Sequence, residues 1–317
     1  MSKYFKLNQY WDWFFEQNDW ENLFARDLSK DKMKELFSKY VFNINIETSA
    51  FCNLKCGYCP MSRIDRKQDF ILEKNWGGVI DELADIGYNG RITLCLFNEP
   101  LLDLSLPQKI NEIRKKMPEV KVALYSNGDY LTAELLDRLI DNGLNWFLVT
   151  RHVSKNNFSK SVCKAEILDY IQKLKLEGYI TEYKELNDNN VSYAIDYRGM
   201  ELYIVTNNWH VIGVDRGGAI EELKSKEVRN QPCAKAIRDF NISYEGIVKP
   251  CCNIYFGEGA DYGTIEEGGI LNNYFNNLRN FRIDMLKFGN KSGGCKYCTE
   301  PDNASIETKD MRNKIMI

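Results

Sequence analysis

The spacing of apolar residues changes along the chain, and each change marks an element. Residues 42–49, Phe-Asn-Ile-Asn-Ile-Glu-Thr-Ser, alternate apolar and polar, which predicts a strand. Residues 73–86 switch to helical spacing and stop at Gly87, which predicts a helix. The pattern then repeats. Strand 91–96 precedes helix 106–116, which stops near Pro118, and strand 121–125 precedes helix 132–142, with Thr132 as cap and Gly143 as stop. Strand 146–150 precedes helix 164–177 and Gly178, and two further strands follow at 191–195 and 201–206. Such alternation argues for parallel pairing through helical crossovers, an α/β fold. Upstream, residues 1–40 hold two helical segments. One is dominated by Tyr10, Trp11, Trp13, Phe14, Phe15 and Trp20, the other by Met33, Leu36, Phe37 and Tyr40. Aromatic stripes of this kind pack on a core or on a partner chain. Beyond residue 207 the alternation ends, and two short strands around Glu245-Gly246 predict a hairpin.

Composition narrows the picture. A chain of 317 residues has room for one large domain and a smaller one. A net charge of -3 with no basic run gives no reason to expect a nucleic-acid partner. No stretch of about 18 apolar residues predicts a membrane span, and the first residues do not read as a signal peptide. A cytoplasmic protein is expected, its ten cysteines read as a source of metal-bound thiolates in a reducing compartment rather than as disulfides. Two histidines, His152 and His210, are too few for a histidine-rich zinc site.

The strand at 42–49 runs into Cys52-Asn53-Leu54-Lys55-Cys56-Gly57-Tyr58-Cys59-Pro60. Three soft thiolates on one tight loop suit zinc or an iron–sulfur cluster. Structural zinc takes four ligands, and no fourth Cys or His lies nearby. A cubane held by three thiolates leaves one iron open for chemistry.

This Cys52-x3-Cys56-x2-Cys59 loop, with Tyr58 just ahead of its third cysteine, resembles the signature of the radical S-adenosylmethionine (radical SAM) superfamily. The resemblance implies that S-adenosylmethionine binds the open iron of a [4Fe-4S] cluster. Its one-electron cleavage yields a deoxyadenosyl radical that abstracts a substrate hydrogen atom. The resemblance also implies a partial (β/α)6 barrel of the TIM type over residues 41–206, with the site at the C-terminal strand ends. Tyr58 falls among the cofactor contacts. Phe97-Asn98-Glu99-Pro100 stands where the family commonly has Gly-Gly-Glu-Pro, so Glu99 would hold the cofactor's ammonium and Asn98 would keep a polar edge. Ser126-Asn127-Gly128 resembles the family's Thr-Asn-Gly, which contacts the ribose or the methionine carboxylate. Arg151 would hold that carboxylate or a substrate oxygen, and His152 would transfer a proton. Taken alone, Asn127-Gly128 and Glu99-Pro100 read as turns, His152 as a satisfied loop or core histidine, and Cys95 as a small buried hydrophobe.

A second cysteine set lies in residues 207–317, where Cys233, Cys251 or Cys252, Cys295 and Cys298 could complete either a Zn(Cys)4 site or a fully ligated [4Fe-4S] cluster. Its order resembles the shortened SPASM domain called Twitch, which holds one auxiliary cluster. The resemblance implies Cys233, Cys251, Cys295 and Cys298 as ligands, Cys251 because it directly follows Pro250. Cys252 is then buried, the alternative ligand, or a hydrogen-atom donor.

A radical initiator beside a redox cluster implies net oxidation of a carbinol in a sugar-like, aminocyclitol or nucleotide-linked small molecule, with flavodoxin or ferredoxin as electron donor. Arg151 and His152 are candidate bases. Other expectations are a redox-neutral epimerase with Cys252, Cys95 or Cys163 as hydrogen donor, a peptide-modifying radical SAM enzyme, and a zinc-stabilised binding module without catalysis.

Overall fold

The computed structural model describes residues 10–153, 158–185, 187–257 and 259–300. Its strands are β1 (Asn43–Ile46), β2 (Arg91–Thr93), β3 (Lys121–Ser126), β4 (Trp146–Thr150), β5 (Ile180–Lys184), β6 (Asn190–Tyr197), β7 (Met200–Asn207), β8 (Asp239–Ile242) and β9 (Val248–Lys249). The main helices are α1 (Tyr10–Glu16), α2 (Lys30–Tyr40), α3 (Glu73–Ile86), α4 (Leu106–Lys116), α5 (Ala133–Asp141), α6 (Lys160–Lys173), α7 (Trp209–Ile212), α8 (Lys235–Arg238), α9 (Ile265–Asn272) and α10 (Arg279–Leu286). The chain forms two compact units that interleave in sequence. One takes residues 47–70 and 92–213; the other takes the chain up to 46, residues 71–91, and the chain from 214 on.

In the unit built on residues 92–213 the strands lie in the order β5-β6-β7-β4-β3-β2. β3 and β4 are parallel with Leu124 opposite Phe147, and β4 and β7 are parallel with Leu148 opposite Tyr203. Apolar faces of α4, α5 and α6 bury Ile110, Ile113, Leu136, Leu139, Ile167 and Ile171. Thr132 caps α5 by accepting from the Leu135 N–H, as its position predicts.

Two of the six expected crossover strands are not parallel to one another. β6 and β7 form an antiparallel hairpin, with Tyr197 opposite Met200, and β5 adds to it antiparallel. The reason is chain length. A parallel crossover needs about a dozen residues, whereas here only Arg198 and Gly199 connect the strands, both left-handed at φ 55° and 79°. Helix α6 also starts four residues earlier than expected, and the chain leaves it through a left-handed Lys175 (φ 59°).

In the other unit β1 pairs with β8 in parallel, Ile44 opposite Phe240, and β8 pairs with β9 antiparallel in the expected hairpin. The N-terminal aromatic stripe is core. Tyr10, Trp11 and Phe14 are buried, the Tyr10 ring packs edge-on against Phe42, and its hydroxyl donates to the Tyr40 carbonyl at 3.2 Å. Phe37 meets Tyr274 edge-on at 5.1 Å.

The hairpin turn yields a stability prediction. Gly246 is left-handed (φ 79°), and a Cβ there would lie 2.5 Å from Asn75 Nδ2. Gly78 sits inside α3 with open space around it. Gly246→Ala is expected to lower unfolding free energy by about 1–3 kcal/mol, and Gly78→Ala to raise it by about 0.5–1 kcal/mol. Urea midpoints of the two variants shifting in opposite directions is the check.

Candidate active site

Three parallel strands, β3, β4 and β7, end on one side, and an open cleft of about 450 Å³ lies beyond those ends. Its walls include Cys56 and Tyr58 from the cysteine loop, Asn127 after β3, Arg151 and His152 after β4, and His210 in α7. This is where a barrel of parallel strands builds its site. The volume lies within the range for small-ligand pockets, about 300–1,000 Å³.

The cysteine loop closes on itself through Cys59 N–H to Cys56 C=O (2.9 Å), and the Ser62 hydroxyl donates to the Cys59 carbonyl at 2.8 Å. Burial above all pushes the Cys52 and Cys56 thiols upward, followed for Cys52 by the Glu99 carboxylate and for both by the neighbouring sulfurs. Soft donors that oppose one another's ionisation in this way fit an iron–sulfur cluster, which relieves the repulsion. Among the described residues no three His, Cys, Asp or Glu side chains close on a point sized for a single ion.

Behind the loop lies a pair that sequence reading did not single out. Glu47, fully buried just after β1, accepts from Arg66 Nη1 at 2.6 Å and from the Phe97 N–H at 3.1 Å. Arg66 Nη2 donates to the carbonyls of Ala50 (2.9 Å) and Phe97 (3.1 Å). One ion pair thus joins the entrance of the cysteine loop, its return and the end of β2. Glu47 continues the polar phase of Asn43 and Asn45, a usable sequence signal; Arg66 has none.

A second bracket surrounds Glu99. Its buried carboxylate accepts from the Ser126 hydroxyl (2.6 Å), the Asn127 N–H (2.8 Å) and the Leu101 N–H (3.0 Å), while burial pushes the carboxyl upward against those bonds. Asn98 donates to the Thr48 hydroxyl at 3.2 Å and accepts from the Leu96 N–H at 3.2 Å. Asn98, Glu99 and Ser126 therefore stand behind the cleft wall, whereas Tyr58, Asn127, Arg151 and His152 form it. Asp129, also missed, joins the wall pieces. It accepts from Asn53 Nδ2 (2.9 Å) and Arg151 Nη1 (3.0 Å), and Asn127 Nδ2 donates to Asn53 Oδ1 (2.8 Å). The loop residue after Cys52 is thereby tied to the ends of β3 and β4.

Both histidines meet at Tyr58. His152 Nδ1 shares a short hydrogen bond with the Tyr58 hydroxyl, and His210 packs edge-on against the same ring at 5.0 Å. Loss of solvent, then the Arg151 cation, lowers the His152 imidazole to about 4. Cys95 donates to the Asn98 carbonyl and Cys163 is buried in α6; neither lines the cleft.

The other unit holds the second cysteine set. Cys233, Cys251, Cys295 and Cys298 line one small cavity, with Ile254 and Met285 among its apolar walls. Cys252 is not in that lining. The hydrogen bond between the adjacent thiols holds Cys251 above and Cys252 below the usual thiol range. A polar fence runs beside the cavity: Arg216 donates to Asn253 (2.7 Å), Asn253 to Glu300 (3.2 Å), and Lys235 pairs with Glu300 (2.9 Å). Four thiols around an apolar cavity fit a fully ligated cluster.

Fold and site define an enzyme that handles a cluster and a small molecule at the C-terminal ends of parallel strands. Residues 46–187 match the model of the radical SAM superfamily. The chain is 26% identical over 287 residues, 90% of its own length and 100% of the relative's, to the S-adenosyl-L-methionine-dependent 2-deoxy-scyllo-inosamine dehydrogenase of Niallia circulans. Two crystal structures share the fold at 19% identity. BtrN in complex with AdoMet and 2-DOIA superposes with a TM-score of 0.61, covering 82% of this chain and 93% of that one. Selenomethionine BtrN in an open conformation gives 0.56, covering 82% and 92%. Residues 46–187 thus match a radical SAM domain, the chain as a whole is homologous to an S-adenosyl-L-methionine-dependent dehydrogenase, and that match supports S-adenosylmethionine and a [4Fe-4S] cluster as cofactors. Its α/β fold with a mixed sheet agrees with the partial barrel of that class.

The buried ion pair gives the prediction here. Arg66→Met leaves the Glu47 carboxylate buried without its cation and is expected to cost about 3–5 kcal/mol. Chemical denaturation measures the loss, and iron retained per chain after gel filtration is expected to fall with it.

Proposed function

We propose that this enzyme dehydrogenates a carbinol of a small polyhydroxylated molecule, an aminocyclitol first among the candidates. Residues 41–206 act as the radical SAM domain and residues 207–317 as a Twitch-type domain holding an auxiliary [4Fe-4S] cluster, with residues 1–40 as a helical extension. One observation carries the reading: four cysteines wall a single apolar cavity in a unit separate from the cysteine loop. A fully ligated cluster has no open iron and serves to accept an electron, and a radical reaction that gives up an electron is an oxidation. The substrate of the dehydrogenase relative supports the aminocyclitol class.

When bound, the first cluster and S-adenosylmethionine supply the radical that takes a hydrogen atom from carbon. The rest falls to this chain. Cys52, Cys56 and Cys59 hold the first cluster. Tyr58, Asn127 and Arg151 face the cofactor, with Asn98, Glu99 and Ser126 supporting them from behind. Arg151, presented by Asp129 and by stacking on Tyr170 at 4.6 Å, offers a fixed cation to a carboxylate or a substrate oxygen. Arg151 and His152 are also the sequence's candidates for the proton acceptor. Cys233, Cys251, Cys295 and Cys298 hold the auxiliary cluster, and Cys252 lies beside it. Flavodoxin or ferredoxin fits as the electron donor, and the cytoplasm as the compartment. Among the described residues no helix is long and apolar enough to cross a membrane.

The test counts iron, sulfide and zinc in anaerobically reconstituted protein and in the Cys52→Ala, Cys56→Ala, Cys59→Ala triple variant. About eight irons falling to about four, with loss of S-adenosylmethionine cleavage, is the expected result. The wild type should convert 2-deoxy-scyllo-inosamine or a related aminocyclitol to a carbonyl product. About four irons with zinc and no carbonyl product would overturn the dehydrogenase reading, and solvent deuterium entering carbon would replace it with epimerisation.

A further inference from the structure

The cleft holds three basic side chains besides Lys55, and their surroundings differ. Arg151 is held on three sides. Its Nη1 donates to the Asn127 carbonyl (2.7 Å) and pairs with Asp129 (3.0 Å), and its guanidinium lies over the Tyr170 ring. A guanidinium stays protonated at any working pH, and this one is paired besides, so it orients ligands but does not take protons. His152 has its Nδ1 committed to the Tyr58 hydroxyl. When that hydroxyl donates, the ring proton sits on Nε2 and no lone pair remains for a substrate; in the other tautomer Nε2 is open, but burial and the Arg151 cation still disfavour a protonated ring.

His210 is different. Its ring lines the cleft and touches Tyr58 through ring contact alone. Among the described residues neither ring nitrogen has a hydrogen-bond or ion-pair partner. The fold places it there deliberately. α7 begins directly after β7, and Asn208 anchors the junction by donating its N–H to the Asn189 carbonyl (2.9 Å) and its Nδ2 to Asn189 Oδ1 (3.1 Å). Residue 57 in the cysteine loop is glycine; a Cβ there would already touch His210 Cε1 at 3.5 Å, so a larger side chain would crowd the ring.

We propose that His210 accepts the hydroxyl proton when the carbinol carbon loses its hydrogen atom. The assignment rests on the dehydrogenase reading above and names the base within it. The step balances. The C–H hydrogen atom goes to the deoxyadenosyl radical, giving deoxyadenosine. The O–H proton goes to a ring nitrogen of His210, the remaining electron goes to the auxiliary iron–sulfur cluster, and a C=O bond forms. One S-adenosylmethionine and one electron from the donor are consumed in making the radical.

The test uses reconstituted holoenzyme, an aminocyclitol deuterated at the reacting carbon, and the variants His210→Gln and His210→Ala. Carbonyl product should form about 10²–10⁴-fold more slowly in both, with KM changed less than about threefold, because a base acts in the transition state. Deoxyadenosine should still acquire deuterium, since hydrogen abstraction precedes proton loss, and added imidazole should restore product in His210→Ala. Diethylpyrocarbonate should label His210 in the wild type, and the aminocyclitol should protect it; this readout does not depend on turnover. Carbonyl formation in His210→Gln within about threefold of wild type, or no protection by substrate, overturns the assignment and leaves the dehydrogenase reading intact. A wild type that makes no carbonyl product overturns both.

Discussion

The site depends on a charge taken out of water. Glu47 is fully buried, where Arg66 meets it at 2.6 Å and the Phe97 N–H donates to it as well. Removing two ions from solvent costs several kcal/mol each, so such a pair adds little to net stability. What it does is fix geometry. The guanidinium also binds the Ala50 and Phe97 carbonyls, and the carboxylate binds the Phe97 N–H. An irregular loop with three cysteines has no ladder of its own to hold it. This polar rivet supplies the missing hydrogen bonds and sets where the loop begins and ends.

Around that rivet the chain spends its polar residues in two tiers. The rear tier, Glu99, Ser126, Asn98 and Thr48, satisfies itself internally. The front tier, Asn127, Asp129, Arg151 and Tyr58, faces the cleft and is held by the rear one or by its own cross-links. Cross-links of this kind hold the wall residues in place without a ligand, which suits radical chemistry, because a reactive intermediate must meet its substrate carbon and nothing else. The two histidines divide along the same line. His152 is engaged with Tyr58, and His210, whose ring nitrogens have no polar partner among the described residues, faces the same space.

Chain order and compactness do not coincide. The cysteine loop follows β1 directly, yet loop and strand fall in different compact units, and α3 returns to the first unit before β3 and β4 build the second. The second cysteine set is gathered from points as far apart as Cys233 and Cys298. The polar fence of Arg216, Asn253, Glu300 and Lys235 is assembled from equally distant points.

The sequence by itself determined the helices at 73–86 and 106–116, the strand at 146–150 and the reactive loop. Their signals are local: a period, a cap, a glycine stop or a tight motif sets the structure within a few residues. The antiparallel pairing of β6 with β7 was not read from the sequence, which placed both among parallel strands; only the strand ends seen in the structure leave two residues between them, too few for a crossover. Tertiary structure alone decided the rest. That Arg66 would answer Glu47, that Asp129 would clamp Arg151, and that Cys251 rather than Cys252 would face the cavity all depend on contacts between distant segments. No local period encodes such contacts. They arise because burying charge and polar groups is tolerable only where the fold happens to bring a partner within hydrogen-bond reach.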